Sequence, residues 1–210
     1  MGTSLLSAII VYNRDRKRRT NQFFALVFVG LAGFVAPYLF LQDPVLKEFS
    51  YILQLLGISV CILSLCLFYY ALAHEGEVPR SVSLPFTGAL FTSPVLCLIF
   101  HPFSFVLEEY GYELIIDTWF MAWVNVVYAI FVLYAILGLI KTYMRAGDRI
   151  LRKKLEIIFI ALVIMLATAI IFFTILPVVL NLHFLKPIGY GIITGCIIMM
   201  TYAFRSNRKN

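Results

Sequence analysis

The longest apolar run of this chain and the basic loop after it read LIIDTWFMAWVNVVYAIFVLYAILGLIKTYMRAGDRILRKK over residues 114–154. The apolar part, 114–140, contains a single charged side chain, Asp117. A helix of about 20 residues crosses the hydrocarbon core of a bilayer, which is about 30 Å thick. Because lipid cannot satisfy backbone N–H and C=O groups, a spanning run of this kind must be helical. The stretch therefore predicts a transmembrane helix that ends in a positively charged loop.

Five further apolar runs have a similar length. They cover residues 22–41, 49–73, 83–106, 155–178 and 184–204. A shorter run, 4–12, gives only about 13 Å of helix, too little to cross the core alone. We interpret it as a shortened first helix, because the charge follows the run, whereas in a signal peptide the charge precedes it. The predicted fold is an all-α membrane protein, one domain over residues 1–210, with six full transmembrane helices and a shortened first helix.

The composition supports a membrane protein with no soluble domain. Hydrophobic residues make up 62% of the chain, charged residues 13%, and the mean hydropathy is +0.94. The net charge of +6 is divided among short loops, so we expect the lipid bilayer and no nucleic acid as a partner. The four cysteines lie inside apolar runs, at spacings that indicate neither a disulfide framework nor a metal site. We expect no cofactor and no metal.

Basic residues orient the predicted bundle. When the apolar runs alternate in direction, 15 of the 17 Lys and Arg residues fall on one side, and only Lys47 and Lys186 fall on the other. Positively charged loops stay in the cytoplasm. The prediction is a multi-pass cell-membrane protein with its N-terminus outside and its C-terminus in the cytoplasm.

Most of these charges form two clusters on the predicted cytoplasmic side. Their members are Arg14, Arg16, Lys17, Arg18, Arg19, Arg149, Arg152, Lys153 and Lys154. They can determine topology alone, or they can also bind anionic lipid at about 1 kcal/mol for each nearby charge. Both roles are compatible.

The outer half of the fifth predicted helix carries the polar residues that suggest a ligand pocket. Asp117 and Asn125 are eight residues apart and share one helical face, while Trp119 and Trp123 share another. Polar side chains inside membrane spans usually face the bundle interior and mark function. With His101 at the outer end of the fourth apolar run, these residues are the candidate ligand-binding set. Alternatively, Asp117 is solvated at the interface and Asn125 joins two helices.

Small residues in the last apolar run suggest helix packing. Gly191 and Gly195 are four positions apart, which lets a second helix approach closely. Packing within the chain is the favoured interpretation, and a homodimer contact is the other. We find none of the motifs H-E-x-x-H, G-x-S-x-G, Walker A or the dinucleotide fingerprint, so the chain is not expected to be an enzyme.

Four segments together resemble a known family. They are Asn21–Leu26 (NQFFAL) after the first basic loop, Asp117–Tyr134, Arg152–Lys154 leading to Ile175–Pro177 (ILP), and Thr201–Arg205 (TYAFR). On these segments the chain resembles the seven-transmembrane N-terminal sensor region of some histidine kinases. The resemblance implies a membrane input module. Kinase activity is not implied, because the 210 residues contain neither a phospho-acceptor region nor an ATP-binding domain.

The predicted function is therefore that of a sensory or receptor-like input module of a two-component type signal-transduction system. A small ligand or a membrane state would shift the helices between two packings, and a homodimer or a cytoplasmic signalling partner would read the last helix. The main alternative is a small transporter or channel subunit, with Pro94 and the polar residues of the third and fifth helices lining a path. A lipid-modifying enzyme and a scaffold that pairs through the last helix are further alternatives.

Overall fold

The computed structural model describes residues 1–35, 40, 43, 45–74, 77–108, 111–172, 176 and 186–205. Within them, seven helices and one β-hairpin account for the regular structure. The helices are α1 Gly2–Arg14, α2 Arg19–Val35, α3 Lys47–Ala73, α4 Arg80–Phe100, α5 Thr118–Arg145, α6 Arg149–Ile170 and α7 Lys186–Arg205. The strands are β1 Phe103–Glu108 and β2 Gly111–Ile116.

The helices form a closed ring, with α4 packed on its outside against α3 and α5. Helix α3 packs against α2, α4 and α5, and the ring continues from α5 through α6 and α7 to α1 and back to α2. The core holds large side chains from several helices, among them Phe24, Phe28, Phe68, Phe120 and Met200. We call the end that carries the two basic clusters the basic end, and the opposite end, where β1 and β2 lie, the hairpin end.

Among the described residues, three helices are long and apolar enough to cross a membrane. They are α3, α4 and α5, with mean hydropathies of 2.3, 1.7 and 2.3 in their most apolar stretches. This supports the predicted class of a helical membrane protein, but not the six full spans. Helix α2 has only 17 residues, and α6 begins with five charged side chains between Arg149 and Glu156. The predicted runs 22–41, 155–178 and 184–204 extend into residues outside the described ranges.

The predicted helix over 83–106 is wrong at its C-terminal end. Helix α4 stops at Phe100, because His101 takes a left-handed conformation (φ 46°) and Pro102 has no N–H to continue the helix. Residues 103–106 instead belong to β1, which pairs antiparallel with β2 from Phe103 opposite Ile116 to Glu108 opposite Gly111. The fifth helix consequently begins at Thr118 and not at residue 114.

The first helix is short but longer than predicted. It runs over Gly2–Arg14, which is about 20 Å of helix, where the sequence indicated residues 4–12. Ser4, Ser7, Ala8 and Val11 are buried along one face, at the spacing of one helical stripe. Small and hydroxyl-bearing residues are typical of helix contacts in membranes.

The closest helix contact joins α2 and α3. A Cβ added to Gly57 would collide with the backbone of Gly33 and Phe34, and a Cβ added to Gly30 would collide with the backbone of Cys61. Only glycine allows backbones to approach this closely. These glycines hold α2 and α3 in close contact.

Candidate functional site

The hairpin brings two members of the predicted ligand set to one place. The N–H of Asp117 donates to the carbonyl of Pro102 at 3.0 Å, which closes the base of the hairpin beside His101. Asp117 is the N-cap residue of α5, so it precedes the helix and does not lie on its face. Both side chains are exposed.

The other three members lie on the outside of the bundle. Trp119 and Trp123 are 51% and 42% exposed, and Asn125 is exposed as well. Trp119 meets Phe100 edge to face, with ring centroids 6.1 Å apart. Asn125 thus does not face the interior, contrary to the expectation for a polar residue in a span. Neither of the two cavities described below lies here, and the ligand-binding role of the five residues stays a prediction.

The close contact predicted for Gly191 and Gly195 is not made with any described residue, and their role in helix packing stays a prediction. Both are exposed on α7, and an added Cβ would meet no atom within 4 Å among the described residues. The close contact belongs instead to Gly30, Gly33 and Gly57. The spacing of Gly30 and Gly33 along α2, together with Gly57 and Cys61 on α3, is the small-residue signal that could have indicated it.

A buried hydroxyl network between α3, α4 and α5 was not predicted from the sequence. Pro94 lacks the N–H that would bond to the carbonyl of Leu90 in a regular helix. The hydroxyl of Ser59 on α3 donates to that carbonyl at 3.1 Å. Ser59 Oγ also lies 2.8 Å from the Tyr128 hydroxyl on α5, and that hydroxyl lies 3.2 Å from the carbonyl of Leu55. The serine thus replaces the missing helical donor and joins three helices.

This network has more contacts than protons. Two hydroxyl protons serve three contacts, and the Leu55 carbonyl is already served by the N–H four residues later in α3. When Tyr128 donates to Ser59, Ser59 donates to Leu90; when Tyr128 donates to Leu55, Ser59 can donate either to Tyr128 or to Leu90. Ser93, one turn after Leu90, is fully buried, and its hydroxyl lies near that of Tyr128 but makes no hydrogen bond of good geometry within the described part of the chain. Alternative bonding patterns are therefore available at Pro94.

The basic end contains two cavities. The larger, about 950 Å³, is lined by Lys17, Arg18 and Arg19 on one side and by Tyr70, His74 and Glu77 on the other. The Tyr70 and His74 rings are stacked with centroids 4.2 Å apart. The smaller, about 320 Å³, is lined by Arg14, Arg18 and Lys154.

The two basic clusters predicted from the sequence therefore meet, but only in part. The remaining members line neither cavity: Arg16, Arg149, Arg152 and Lys153. Arg16 donates to the Asn13 side chain at 2.8 Å, and the Arg152 guanidinium lies 4.8 Å from the centre of the Tyr143 ring.

Electrostatics confirm the convergence at the smaller cavity. Burial, together with repulsion by Arg14 and Arg18, lowers the pKa of Lys154, and Asp148 opposes this shift. A lysine whose charged form is disfavoured in this way gains from an anion placed beside it.

Comparisons with known proteins leave the family open. No family model matches the chain. No curated protein matches it significantly.

Proposed function

We propose that this chain is a membrane-embedded sensory input module of two-component type that signals by repacking its helices. The observation that carries the proposal is the buried hydroxyl network in which Ser59 serves the Leu90 carbonyl left free by Pro94. An interhelical bond at a proline inside a helix, where one backbone hydrogen bond is missing, is a natural place for two packings of similar free energy.

The network supports such a switch because one set of hydrogen bonds can replace another while each buried polar group keeps a partner. Removing Ser59 from Leu90 would leave a buried carbonyl unpaired, which costs about 1–3 kcal/mol. Ser93 carries a spare hydroxyl one turn along the same helix, and Tyr128 has two acceptors within reach. A small movement of α4 against α3 and α5 would thus replace one set of bonds with another.

The orientation forms part of the same proposal. With six full spans and a shortened first helix, the basic end faces the cytoplasm and the hairpin end faces outward. A small ligand would act near His101 and Asp117, at the base of the hairpin. That hairpin leads directly into α4 and α5, so a shift there reaches Pro94 and Tyr128 through two rigid helices. A homodimer or a cytoplasmic signalling partner would read the result.

Spin-label distances test the proposed repacking. Arg80 is the first residue of α4, and Arg145 is the last residue of α5. Labels attached to cysteines introduced at these two positions report the separation of the helices at the basic end. In bilayer nanodiscs we expect Ser59→Ala and Tyr128→Phe to move the distance distribution by several ångströms toward a second population. The matched control is Thr92→Val, because its hydroxyl bonds only to Ala89 of its own helix at 2.6 Å. An unchanged distribution in both network variants would mean that the network is static packing.

The transporter alternative has one observation in its favour, the 950 Å³ cavity at the basic end. Sealed proteoliposomes distinguish the two functions. A sensor gives no flux of ions or small solutes above that of protein-free vesicles, whereas a transporter or channel subunit gives flux that falls when the cavity residue Glu77 is changed to Gln.

A further inference from the structure

The smaller cavity at the basic end gathers three cations around one space. Arg14 ends α1, Arg18 lies in the loop before α2, and Lys154 lies in the second turn of α6. Residues that are 140 positions apart in the chain, 14 and 154, thus line the same recess of about 320 Å³.

The cations of this cavity form no ion pair in the described part of the chain, and Asp148 acts on Lys154 from outside the cavity lining. Asp15 shares the lining, but its carboxylate accepts the backbone N–H of Lys17 at 3.2 Å and forms no ion pair with the three cations. Like charges that face one recess repel each other, and partial burial of Lys154 adds to the cost. An anion in the recess would relieve both effects.

Part of the cavity wall is apolar. Phe68, Leu155 and Ile158 contribute to it, and the last two come from the same helix as Lys154. A small free anion would use the cations and leave this wall without a partner. A phospholipid offers a charged phosphate and an apolar glycerol and acyl region within one molecule.

The net charge around the recess indicates which kind of lipid headgroup it fits. Arg14, Arg18 and Lys154 together with Asp15 leave a net charge of +2 around the recess. A phosphomonoester carries about −1.5 to −2 at neutral pH. Arginine donates to two phosphate oxygens at once, and lysine adds a compact positive charge.

We infer that this cavity binds the phosphomonoester headgroup of an anionic phospholipid. Arg14 and Arg18 hold the phosphate oxygens, Lys154 neutralises the remaining charge, and the apolar wall receives the glycerol end. The bound lipid ties α1, α2 and α6 together at the basic end. This inference is independent of the proposed signalling function, since it holds whether or not the hydroxyl network rearranges.

Native mass spectrometry of the full chain in detergent tests the site. The probes are dioleoyl phosphatidic acid, with phosphatidylcholine as the lipid of zero net charge. We expect Arg18→Gln/Lys154→Gln to raise the Kd for phosphatidic acid about 10-fold, which is about 1.4 kcal/mol. The control Arg16→Gln/Lys153→Gln removes the same charge from neighbouring positions outside the cavity, and should raise that Kd less than about 3-fold.

Two more variants keep the test decisive. Arg18→Lys/Lys154→Arg retains the charges and should bind phosphatidic acid within about 3-fold of the unchanged protein. Arg14→Gln supplies an independent loss of affinity if the first double variant does not fold. Equal losses in the cavity and control variants, or equal affinity for phosphatidylcholine, would overturn the site. Inorganic phosphate that displaces the lipid at the lipid's own concentration would overturn the assignment to a lipid.

Discussion

Helices α3 and α5 have nearly the same length and the same mean hydropathy, yet they occupy different positions. They have 27 and 28 residues, and both reach a mean hydropathy of 2.3. In their most apolar stretches, 56% of α3 is buried but only 22% of α5. Hydropathy thus determines that a helix enters the membrane, but not whether its neighbours will be helices or lipid.

Side-chain size accounts for the difference. Lipid tails are as apolar as leucine, so helices in a membrane associate through close packing and interhelical hydrogen bonds. Helix α3 offers small residues such as Gly57, Ser59 and Cys66, all of which are buried. Helix α5 presents Trp119, Leu137 and other large side chains outward. The comparison predicts that α3 is sensitive to substitution and that most of α5 is not.

The largest effect is expected at the contact between α2 and α3. Gly57→Ala would push a methyl group into the backbone of Gly33 and Phe34, so we expect a loss of about 3 kcal/mol of unfolding free energy. Gly88→Ala in α4 is the control, because nothing lies within 4 Å of its added Cβ among the described residues. It should leave stability unchanged or raise it by up to about 1 kcal/mol. Unfolding in sodium dodecyl sulfate, followed by circular dichroism, measures both; equal effects would refute the close contact.

A leucine on each helix gives the next largest difference. Leu65 of α3 is 5% exposed, and Leu137 of α5 is 64% exposed. We expect Leu65→Ala to lose about 2 kcal/mol through the cavity that it leaves, while Leu137→Ala changes stability by less than about 0.5 kcal/mol. The same unfolding assay applies. A loss at Leu137 as large as that at Leu65 would mean that α5 is covered by a partner.

Hydroxyl groups on the two helices should differ by a smaller amount. Ser59→Ala removes the donor to Leu90, and we expect a loss of about 1 kcal/mol. Thr142 of α5 bonds only to the carbonyl of Gly138 in its own helix, at 3.0 Å, so Thr142→Val should change stability by less than about 0.5 kcal/mol. A double-mutant cycle of Ser59→Ala with Tyr128→Phe measures their coupling. Additive losses would show that the 2.8 Å contact contributes nothing.

The smallest effects are expected on the exposed face of α5. Asn125→Ala and Trp123→Ala should each change the unfolding free energy by less than about 0.5 kcal/mol, since both side chains are exposed. Folded variants of this kind make clean tests of the predicted ligand face. A destabilisation above about 1 kcal/mol that depends on protein concentration would instead indicate that a second copy covers this face.

Several residues of the candidate sites could be identified from the sequence, but which of them meet in the fold could not. The basic residues were identified from their side of the membrane, yet Arg18 lines the cavity while Arg16, two positions earlier, does not. Pro94 marks a missing backbone hydrogen bond in a helix, but nothing in the chain around it indicates that Ser59 or Tyr128 would serve the freed carbonyl. Such pairings depend on how each helix is rotated about its axis, and rotation follows from packing. Hydropathy does not indicate this rotation when all faces of a helix are apolar.

The hairpin is a second feature that hydropathy did not predict. Residues 103–106 are apolar enough to continue a helix, and the predicted helix over 83–106 included them. His101 and Pro102 end α4 there, and the strand then pairs with residues up to Ile116.

Charge and apolar content are properties of the individual residues, so the membrane class and the basic end could be recognised from the amino-acid sequence. The burial of α3, the contact at Gly57 and the meeting of Arg14 with Lys154 depend on surfaces that come together only when the helices pack. In a membrane that packing is selected by shape and hydrogen bonding, because contact with lipid is nearly as favourable for an apolar side chain as contact with another helix.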